Sequence, residues 1–199
     1  IDFIVDELKS DLDIKKAGDE ALEQSLFFAA REGATETVAF LLAANADPSA
    51  ATTDVGVTPV FIAAQNGHAE VLALLLAANA DLSSARTDTG ATPVYVAAQT
   101  GHAEVLALLL AANADPSAAA NADPSAARTD TGATPVFVAA KNGHAKVLTL
   151  LLEANVDPSA ARISDGVTPV FVAAWNGHAD VLSLLLAANA DPSAATTDT

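Results

Sequence analysis

Histidine is the residue type in this chain best suited to bind a metal or to move protons, and it occurs at one kind of position. Each of the four histidines follows a glycine and precedes an alanine; they are His68, His102, His144 and His178. Metal ligands must lie within about 2 Å of one ion, whereas equivalent residues on neighbouring packed helices lie ~8–10 Å apart. The pattern therefore predicts a structural role, in which each imidazole satisfies backbone groups at its own Gly-His turn.

Carboxylates recur in the same way, because Asp54, Asp88 and Asp130 each follow a threonine. Binding of Ca²⁺ needs several oxygens that converge on one point, so turn formation is the better interpretation of these aspartates. The chain contains no cysteine and therefore offers no thiol nucleophile or thiolate metal site. A catalytic site gathers unlike groups in one pocket, whereas this chain spreads like groups along a line. We therefore expect no enzymatic activity, no metal and no cofactor.

These residues recur because the chain consists of copies of one unit. The strings that resemble TPVFIAAQNGHAEVLALLLAANAD start at Thr58, Thr92, Thr134 and Thr168. Their spacings are 34, 42 and 34 residues, and a degenerate copy starts at Ser25. The octapeptide ANADPSAA occurs at 112–119 and again at 120–127, and this tandem duplication explains the longer spacing.

Each unit predicts two helices. Thr58 is a good N-cap and Pro59 suits the first helical position, while Gly67 ends the first helix in the left-handed conformation. Apolar residues at helical spacing over 71–76 then predict a second helix, which Asn79 ends as the next-best left-handed residue. A lone pair of short helices cannot bury its apolar face, so we expect the copies to stack.

The connections also carry local signals. Asp-Pro-Ser-Ala-Ala places an N-cap before a proline and predicts a short helical turn. Thr-Asp-x-Gly, as at Thr87–Gly90, predicts a tight turn before the next unit.

The order of Thr-Pro, Ala-Ala, Gly-His and a leucine-rich second helix resembles the ankyrin repeat over about residues 20–195. The resemblance implies an all-α solenoid of helix-turn-helix repeats, joined by short turns or hairpin-like fingers, with a role in protein–protein interaction. The period is 34 residues rather than the family's usual ~33, and Arg86, Arg128 and Arg162 lie near the extra position. Aromatic residues replace the histidine that follows the family's Thr-Pro-Leu, and we expect their rings to pack between repeats; they are Phe61, Tyr95, Phe137 and Phe171.

The copies predict one continuous solenoid domain with an added N-terminal helix. The apolar face of residues 1–18 predicts a capping helix. The five repeats are expected at 19–52, 53–86, 87–128, 129–162 and 163–195, with 196–199 as the start of a sixth. Because Leu184, Leu185 and Leu186 keep the internal pattern, repeat five is expected to expose an apolar end face, and the natural protein is expected to continue beyond Thr199.

Net charge and hydropathy limit the partners. A charge of −16 repels nucleic acid and anionic lipid, and it favours a protein partner with a basic surface; simple solubility explains the charge equally well. The longest apolar runs are too short to cross a bilayer, so no membrane insertion is expected. We expect a monomeric module within a longer chain. The compartment stays open, although the lack of a signal-peptide pattern favours the cytoplasm.

Binding specificity is expected where the copies differ. Two sets of outward-facing positions vary: the pair before each first-helix glycine, which lines the groove in the family the chain resembles, and the turn before each first helix. The first set comprises Arg31 and Glu32 in the degenerate copy, then Gln65, Asn66, Gln99, Thr100, Lys141, Asn142, Trp175 and Asn176. The second set comprises Asp54, Val55, Asp88, Thr89, Asp130, Thr131, Ser164 and Asp165.

Trp175 is the only tryptophan and occupies a position that is polar in the other copies. A tryptophan in a groove is a good binding hot spot, so we expect Trp175 to be exposed and to contact the partner. Neutral drift, or packing against the stem of Lys141, would also explain it.

Three functions fit the sequence: an interaction module, a passive spacer or engineered scaffold without a partner, and a targeting arm of a larger protein or enzyme. The interaction module is the leading hypothesis, although the near-identity of the copies supports the second, because a specific site requires divergence. The duplication at 112–127 is a slippage event, a binding projection or an engineered insertion, and in each case we expect the helices on either side of it to stack in register.

Overall fold

The computed structural model describes residues 19–117 and 132–192, which form ten helices in five consecutive pairs. The first helices of the pairs are α1 (Asp19–Glu32), α3 (Pro59–Asn66), α5 (Pro93–Thr100), α7 (Pro135–Asn142) and α9 (Pro169–Trp175). The second helices are α2 (Thr35–Ala43), α4 (Ala69–Ala77), α6 (Ala103–Ala111), α8 (Ala145–Glu153) and α10 (Ala179–Ala187). The all-α repeat solenoid predicted from the sequence is confirmed. The predicted cap at 1–18 and the start of a sixth repeat at 196–199 lie outside the described residues.

The helix boundaries follow from local chemistry. The side-chain oxygen of Thr58 accepts a hydrogen bond from the backbone N–H of Phe61 at 3.2 Å, and Pro59 occupies the first helical turn. Gly67 has a φ of 79°, and Asn79, which follows the second helix, has a φ of 58°. The predicted caps and left-handed helix ends are thus confirmed, and the same pattern recurs in repeats three and four. In repeat five the first helix ends one residue earlier, with Asn176 in a right-handed conformation before the left-handed Gly177.

The core lies between stacked pairs. First helices pack against first helices and second helices against second helices along the array. Ala63 and Ala64 are completely buried, which lets neighbouring first helices approach closely, while Leu72 and Leu75 fill the space under the second helices. Full burial of a leucine side chain stabilises the fold by about 1.5–3 kcal/mol.

Short hairpins, here called fingers, connect the repeats at residues 52–57, 86–91 and 162–167. In the second finger the N–H of Arg86 donates to the carbonyl of Ala91 at 3.0 Å, and the N–H of Gly90 donates back to Arg86 at 2.7 Å. Adjacent fingers also touch, because the N–H of Thr87 donates to the carbonyl of Val55 at 3.0 Å. Repeat one differs, because the long helix α1 occupies the place of a finger.

The Asp-Pro-Ser segments form the short turns that the sequence predicts. Asp47 accepts a side-chain hydrogen bond from the N–H of Ser49 at 2.9 Å, and the N–H of Ala50 donates to the carbonyl of Asp47 at 3.3 Å. The hydroxyl oxygen of Ser49 in turn accepts from the N–H of Asp81 in the next repeat at 2.9 Å. These turns therefore help to join neighbouring repeats.

Candidate functional site

The histidines join each repeat to the one before it. Nε2 of His68 lies 3.0 Å from the carbonyl oxygen of Arg31, and because a carbonyl only accepts, this nitrogen carries the proton. The structural role predicted for the histidines is confirmed, but the predicted location was wrong, since the acceptor lies one repeat upstream rather than at the histidine's own turn. The equivalent pairs are His102 with Gln65 at 3.2 Å, His144 with Gln99 at 3.1 Å and His178 with Lys141 at 3.1 Å.

All three asparagines predicted to bind a partner donate to these same carbonyl groups. The amide Nδ2 of Asn66 lies 2.9 Å from the carbonyl oxygen of Arg31. The corresponding distances are 2.8 Å from Asn142 to Gln99 and 3.0 Å from Asn176 to Lys141. At the same position in the third repeat, Thr100 instead donates to the carbonyl of Val96 within its own helix at 2.8 Å. The asparagine amides therefore contribute to stacking, and their contact with a partner stays a prediction.

Each histidine ring also lies against a glycine of the preceding repeat. A Cβ at Gly143 would be 2.7 Å from Nδ1 and Cε1 of His178, which is too close for any side chain. Among the described residues, no atom lies within 4 Å of a Cβ built on Gly177, the equivalent glycine of repeat five. Within the described residues, no histidine ring therefore covers Gly177 as one covers the equivalent glycine of each earlier repeat.

The duplicated segment does not disturb the stacking. Asn142 and His144 both bond to Gln99, as Asn66 and His68 bond to Arg31 and as Asn176 and His178 bond to Lys141 across junctions of normal length. The prediction that the helices on either side stack in register is confirmed. Most of the duplication lies outside the described residues.

The aromatic rings that replace the family histidine do pack between repeats. Phe61, Tyr95 and Phe137 are at most 4% exposed, as predicted, whereas Phe171 at the end of the array is 38% exposed. Two of the rings are covered by arginines from the next finger: the guanidinium carbon of Arg86 lies 5.9 Å from the centre of the Phe61 ring, and that of Arg162 lies 5.0 Å from Phe137. Such cation–π contacts contribute about 0.5–2 kcal/mol.

The same two arginines hold carboxylates at the finger tips. Arg86 binds Asp88 through two nitrogens, at 3.0 and 2.8 Å. Arg162 binds both carboxylate oxygens of Asp165, with Nε 2.9 Å from Oδ1. The hydrogen bonds from Arg162 hold the pKa of Asp165 below its usual value. The sequence places these arginines near the extra position of the 34-residue repeat, but their contacts with the rings and the aspartates appear only in the structure.

The remaining finger positions show how the turns are built. Asp54 accepts from the N–H of Val55 at 2.7 Å, and the hydroxyl of Thr52 and this N–H both lower its pKa. The side chain of Thr89 accepts from the N–H of Ala91 at 3.3 Å. Ser164 is exposed. Asp130 and Thr131, also predicted to bind a partner, lie outside the described residues, as does Arg128.

Trp175 is 79% exposed, as its position in the sequence predicts. Its ring stacks on that of Phe171, with a centre-to-centre distance of 6.0 Å and an interplanar angle of 18°. At the matching positions, Gln65, Gln99 and Lys141 are partly buried. The two rings form an exposed aromatic patch, here called the Trp175 patch, on the last described repeat.

Neither a metal-binding cluster nor a membrane-spanning helix is found among the described residues. Among them, no three His, Asp or Glu side chains converge closely enough to hold a metal ion. Within 19–117 and 132–192, no helix combines the length and the apolar content that a bilayer crossing requires.

Comparison with protein families agrees with this geometry. The family model described as ankyrin repeats in three copies matches residues 26–120 and again residues 117–196. The chain belongs to the ankyrin repeat family, whose members are generally protein–protein interaction modules and typically have no enzymatic activity. None of the curated proteins compared with the chain matches it.

Proposed function

We propose that this ankyrin array binds a protein partner and that the Trp175 patch is the centre of the contact. The observation that carries the proposal is a tryptophan that is 79% exposed and stacked on the ring of Phe171. Large aromatic side chains dominate the energy of protein interfaces. Exposure of two adjacent aromatic rings to water is unfavourable for the free protein, and a partner that covers the rings would remove this exposure.

The row of residues before the first-helix glycines extends the proposed contact away from the patch. Lys141 lies one repeat from Trp175, and Gln99 with Thr100 and Gln65 with Asn66 continue the row. The hydrogen bonds from Asn142 and Asn176 to the preceding repeat hold part of this row in fixed positions. A rigid polar rim loses little conformational entropy on binding.

The finger tips supply the charge in this proposal. Asp54, Asp88 and Asp165 lie at or near the tips of the three described fingers, with Ser164 next to Asp165. Asp130 and Thr131, which come between Asp88 and Asp165 in sequence, complete the proposed set. Together with the net charge of −16, these carboxylates favour a partner with a basic surface, because complementary charge accelerates association and excludes acidic competitors.

The test compares two variants that each remove one exposed aromatic ring. Proteins bound by the full chain are identified by cross-linking, and each purified candidate is titrated against the full chain, Trp175→Ala and Phe40→Ala. Phe40 is 45% exposed on a second helix, away from the proposed row. We expect Trp175→Ala to weaken binding at least about tenfold, as hot spots do, while Phe40→Ala binds as the parent does.

The single tryptophan gives an independent readout, because its emission should shift to shorter wavelength when a partner covers the ring. Equal affinities for the two variants, together with unchanged emission, would contradict the proposal. Failure to capture any specific partner by cross-linking would instead favour the passive spacer, which the near-identity of the repeats also supports.

A further inference from the structure

The ring of Phe27 in repeat one stands at the position that Phe61 and Phe137 occupy in repeats two and four. In those later repeats a guanidinium from the next finger covers the ring, at 5.9 and 5.0 Å. Each of these arginines is also held by an aspartate, Asp88 or Asp165. The array therefore contains two examples of a site built from an aromatic ring, a carboxylate and a bound guanidinium.

The junction between repeats one and two lacks the arginine. The corresponding residue is Thr52, which closes its finger through the same backbone hydrogen bond as Arg86, in this case to Val57 at 3.0 Å. Its side chain is too short to reach Phe27 as an arginine does, and its hydroxyl bonds to Asp54 instead. Phe27 is accordingly only partly buried.

A cavity of about 290 Å³ lies at this junction. The residues that line it include Phe27 and Thr52, which in the later repeats correspond to an aromatic ring and the arginine that covers it, together with the acidic residues Glu20 and Glu23. The other lining residues are Gln24, Phe28, Ala50, Ala51 and Thr53, so no described residue of the lining carries a positive charge. The nearby guanidinium of Arg31 lies 5.2 Å above the neighbouring ring of Phe28 and pairs with Glu32 at 2.9 Å.

We propose that this cavity, the repeat-one cation pocket, binds the guanidinium of an arginine side chain from a protein partner. The pocket offers a ring face for the flat side of the guanidinium and two carboxylates for its N–H groups. Arginine fits better than lysine, because its planar fork stacks on an aromatic ring and pairs with carboxylates through two hydrogen bonds. The proposal depends on the protein-binding function only for the source of the arginine, and the pocket is separate from the Trp175 patch.

A small probe tests the pocket without a known partner. The ¹⁵N-labelled full chain is titrated with acetyl-Gly-Arg-Gly-amide and with the citrulline peptide, which has nearly the same shape without the charge. We expect the arginine peptide to bind with a dissociation constant on the order of millimolar and to shift amide signals of α1 and residues 50–53. The citrulline peptide should produce no saturating shift.

Two variants place the binding in the pocket. Phe27→Leu keeps the apolar packing but removes the ring face, and should weaken the arginine peptide about two- to fivefold, as expected for loss of an exposed cation–π contact. Thr52→Arg supplies the missing guanidinium from within the chain, and should abolish peptide binding and raise the melting temperature. Ala107→Arg makes the same change in charge at an exposed position on α6, outside both proposed sites, and should retain binding.

Three results would overturn the proposal. The first is equal binding of the arginine and citrulline peptides, and the second is binding that survives Thr52→Arg. The third is binding that occurs only in a variant with both Lys15 and Lys16 changed to glutamine. That result would mean that the chain's own lysines compete with the peptide for the pocket in the parent protein. Loss of partner binding in Trp175→Ala affects none of these measurements, so the two proposals fail separately.

Discussion

Nε2 of His144 lies 3.1 Å from the carbonyl oxygen of Gln99, although 45 residues separate the two in sequence. The equivalent pairs at the other junctions are 37 residues apart, and the difference of eight equals the length of the duplicated octapeptide. The contact is therefore formed by the stacked helices and does not depend on the length of the connection between them.

Deletion of residues 120–127 should consequently leave the stacking intact. Because the entropy of closing a loop depends weakly on its length, we expect the free energy of unfolding to change by less than ~1 kcal/mol. Urea unfolding of the parent and the deletion variant measures this change. A larger loss of stability would mean that the second copy of ANADPSAA packs on the array.

Gly143 and Gly177 form a matched pair of positions, and substitutions at the two measure how much the histidine contact contributes to the free energy of unfolding. Both have left-handed backbones, with φ of 76° and 75°, so alanine at either position costs about 1–2 kcal/mol in backbone strain. Only Gly143→Ala also displaces the ring of His178, which then loses its hydrogen bond to Lys141, at a further cost of about 1–3 kcal/mol. Urea unfolding should rank Gly143→Ala as clearly the more destabilising; equal effects would show that the imidazole contributes little.

Thr37 is a buried polar residue of repeat one. Among the described residues, its hydroxyl is the buried side-chain group without a hydrogen-bond partner. The corresponding residues in the later repeats are valines that are at most 1% exposed: Val71, Val105, Val147 and Val181. Thr37→Val keeps the shape and removes the unpaired hydroxyl, so we expect a gain of about 1–2 kcal/mol in the free energy of unfolding.

The reciprocal change provides the control for this prediction. Val71→Thr places a hydroxyl in the equivalent buried site of repeat two and should destabilise the protein by a similar amount. No gain from Thr37→Val, measured by urea unfolding, would indicate that the hydroxyl has a partner in solution.

The ion pair between Arg162 and Asp165 should make stability depend on pH in acid. Hydrogen bonds from Arg162 hold the pKa of the Asp165 carboxyl below its ordinary value of 3.8, although partial burial opposes this shift. A carboxyl with a lower pKa in the folded chain stabilises the fold above its unfolded pKa, and this contribution disappears as the pH falls through the folded value.

The parent should therefore have a larger free energy of unfolding than Asp165→Asn. This difference should be fully present at pH 6 and shrink as the pH falls below about 4. Urea unfolding at pH 6 and pH 3 measures it. In an Arg162→Gln background the same substitution should have a smaller effect that varies less with pH. If the two proteins differ in free energy of unfolding by the same amount at both pH values, the ion pair is not the source of the difference.

Local signals in the sequence were sufficient to predict the helices of the four clean copies. Thr58, Pro59 and Gly67 act within one turn of their own positions, so the boundaries of the first helix follow from the chemistry of each residue alone. The exposure of Trp175 was also predictable, because a lone tryptophan replaced polar residues at an outward-facing position. The duplication was visible as a repeat, and stacking in register followed from the tolerance of connections to insertion.

Contacts between repeats were not predictable in the same way, because they depend on the offset between stacked helices. The sequence indicates that His68 is structural, but only the stacked geometry places its ring beside the carbonyl of Arg31. The same holds for Asn66, whose amide appeared free for a partner. The repeat-one cation pocket follows from Thr52, which stands where later repeats have an arginine. The consequence of this replacement becomes clear only in the structure, where Arg86 covers the ring of Phe61.

Thr100 marks the one described junction between clean repeats where the asparagine bond is missing. The carbonyl of Gln65 accepts from His102 at 3.2 Å, whereas the carbonyl of Gln99 accepts from both Asn142 and His144. Thr100→Asn would provide the second donor at a position where the backbone already suits asparagine in three other repeats. We expect a gain of about 0.5–1.5 kcal/mol, the usual net value of one such hydrogen bond, measured by urea unfolding.

A double-mutant comparison separates this hydrogen bond from the helix propensity of the new residue. His102→Ala removes the remaining side-chain donor to Gln65 in the parent, but in the Thr100→Asn background the asparagine still satisfies that carbonyl. The histidine substitution should therefore destabilise the Thr100→Asn protein less than it destabilises the parent. Equal losses in the two backgrounds would show that the new amide does not reach the carbonyl of Gln65, and any gain from Thr100→Asn would then come from within the helix.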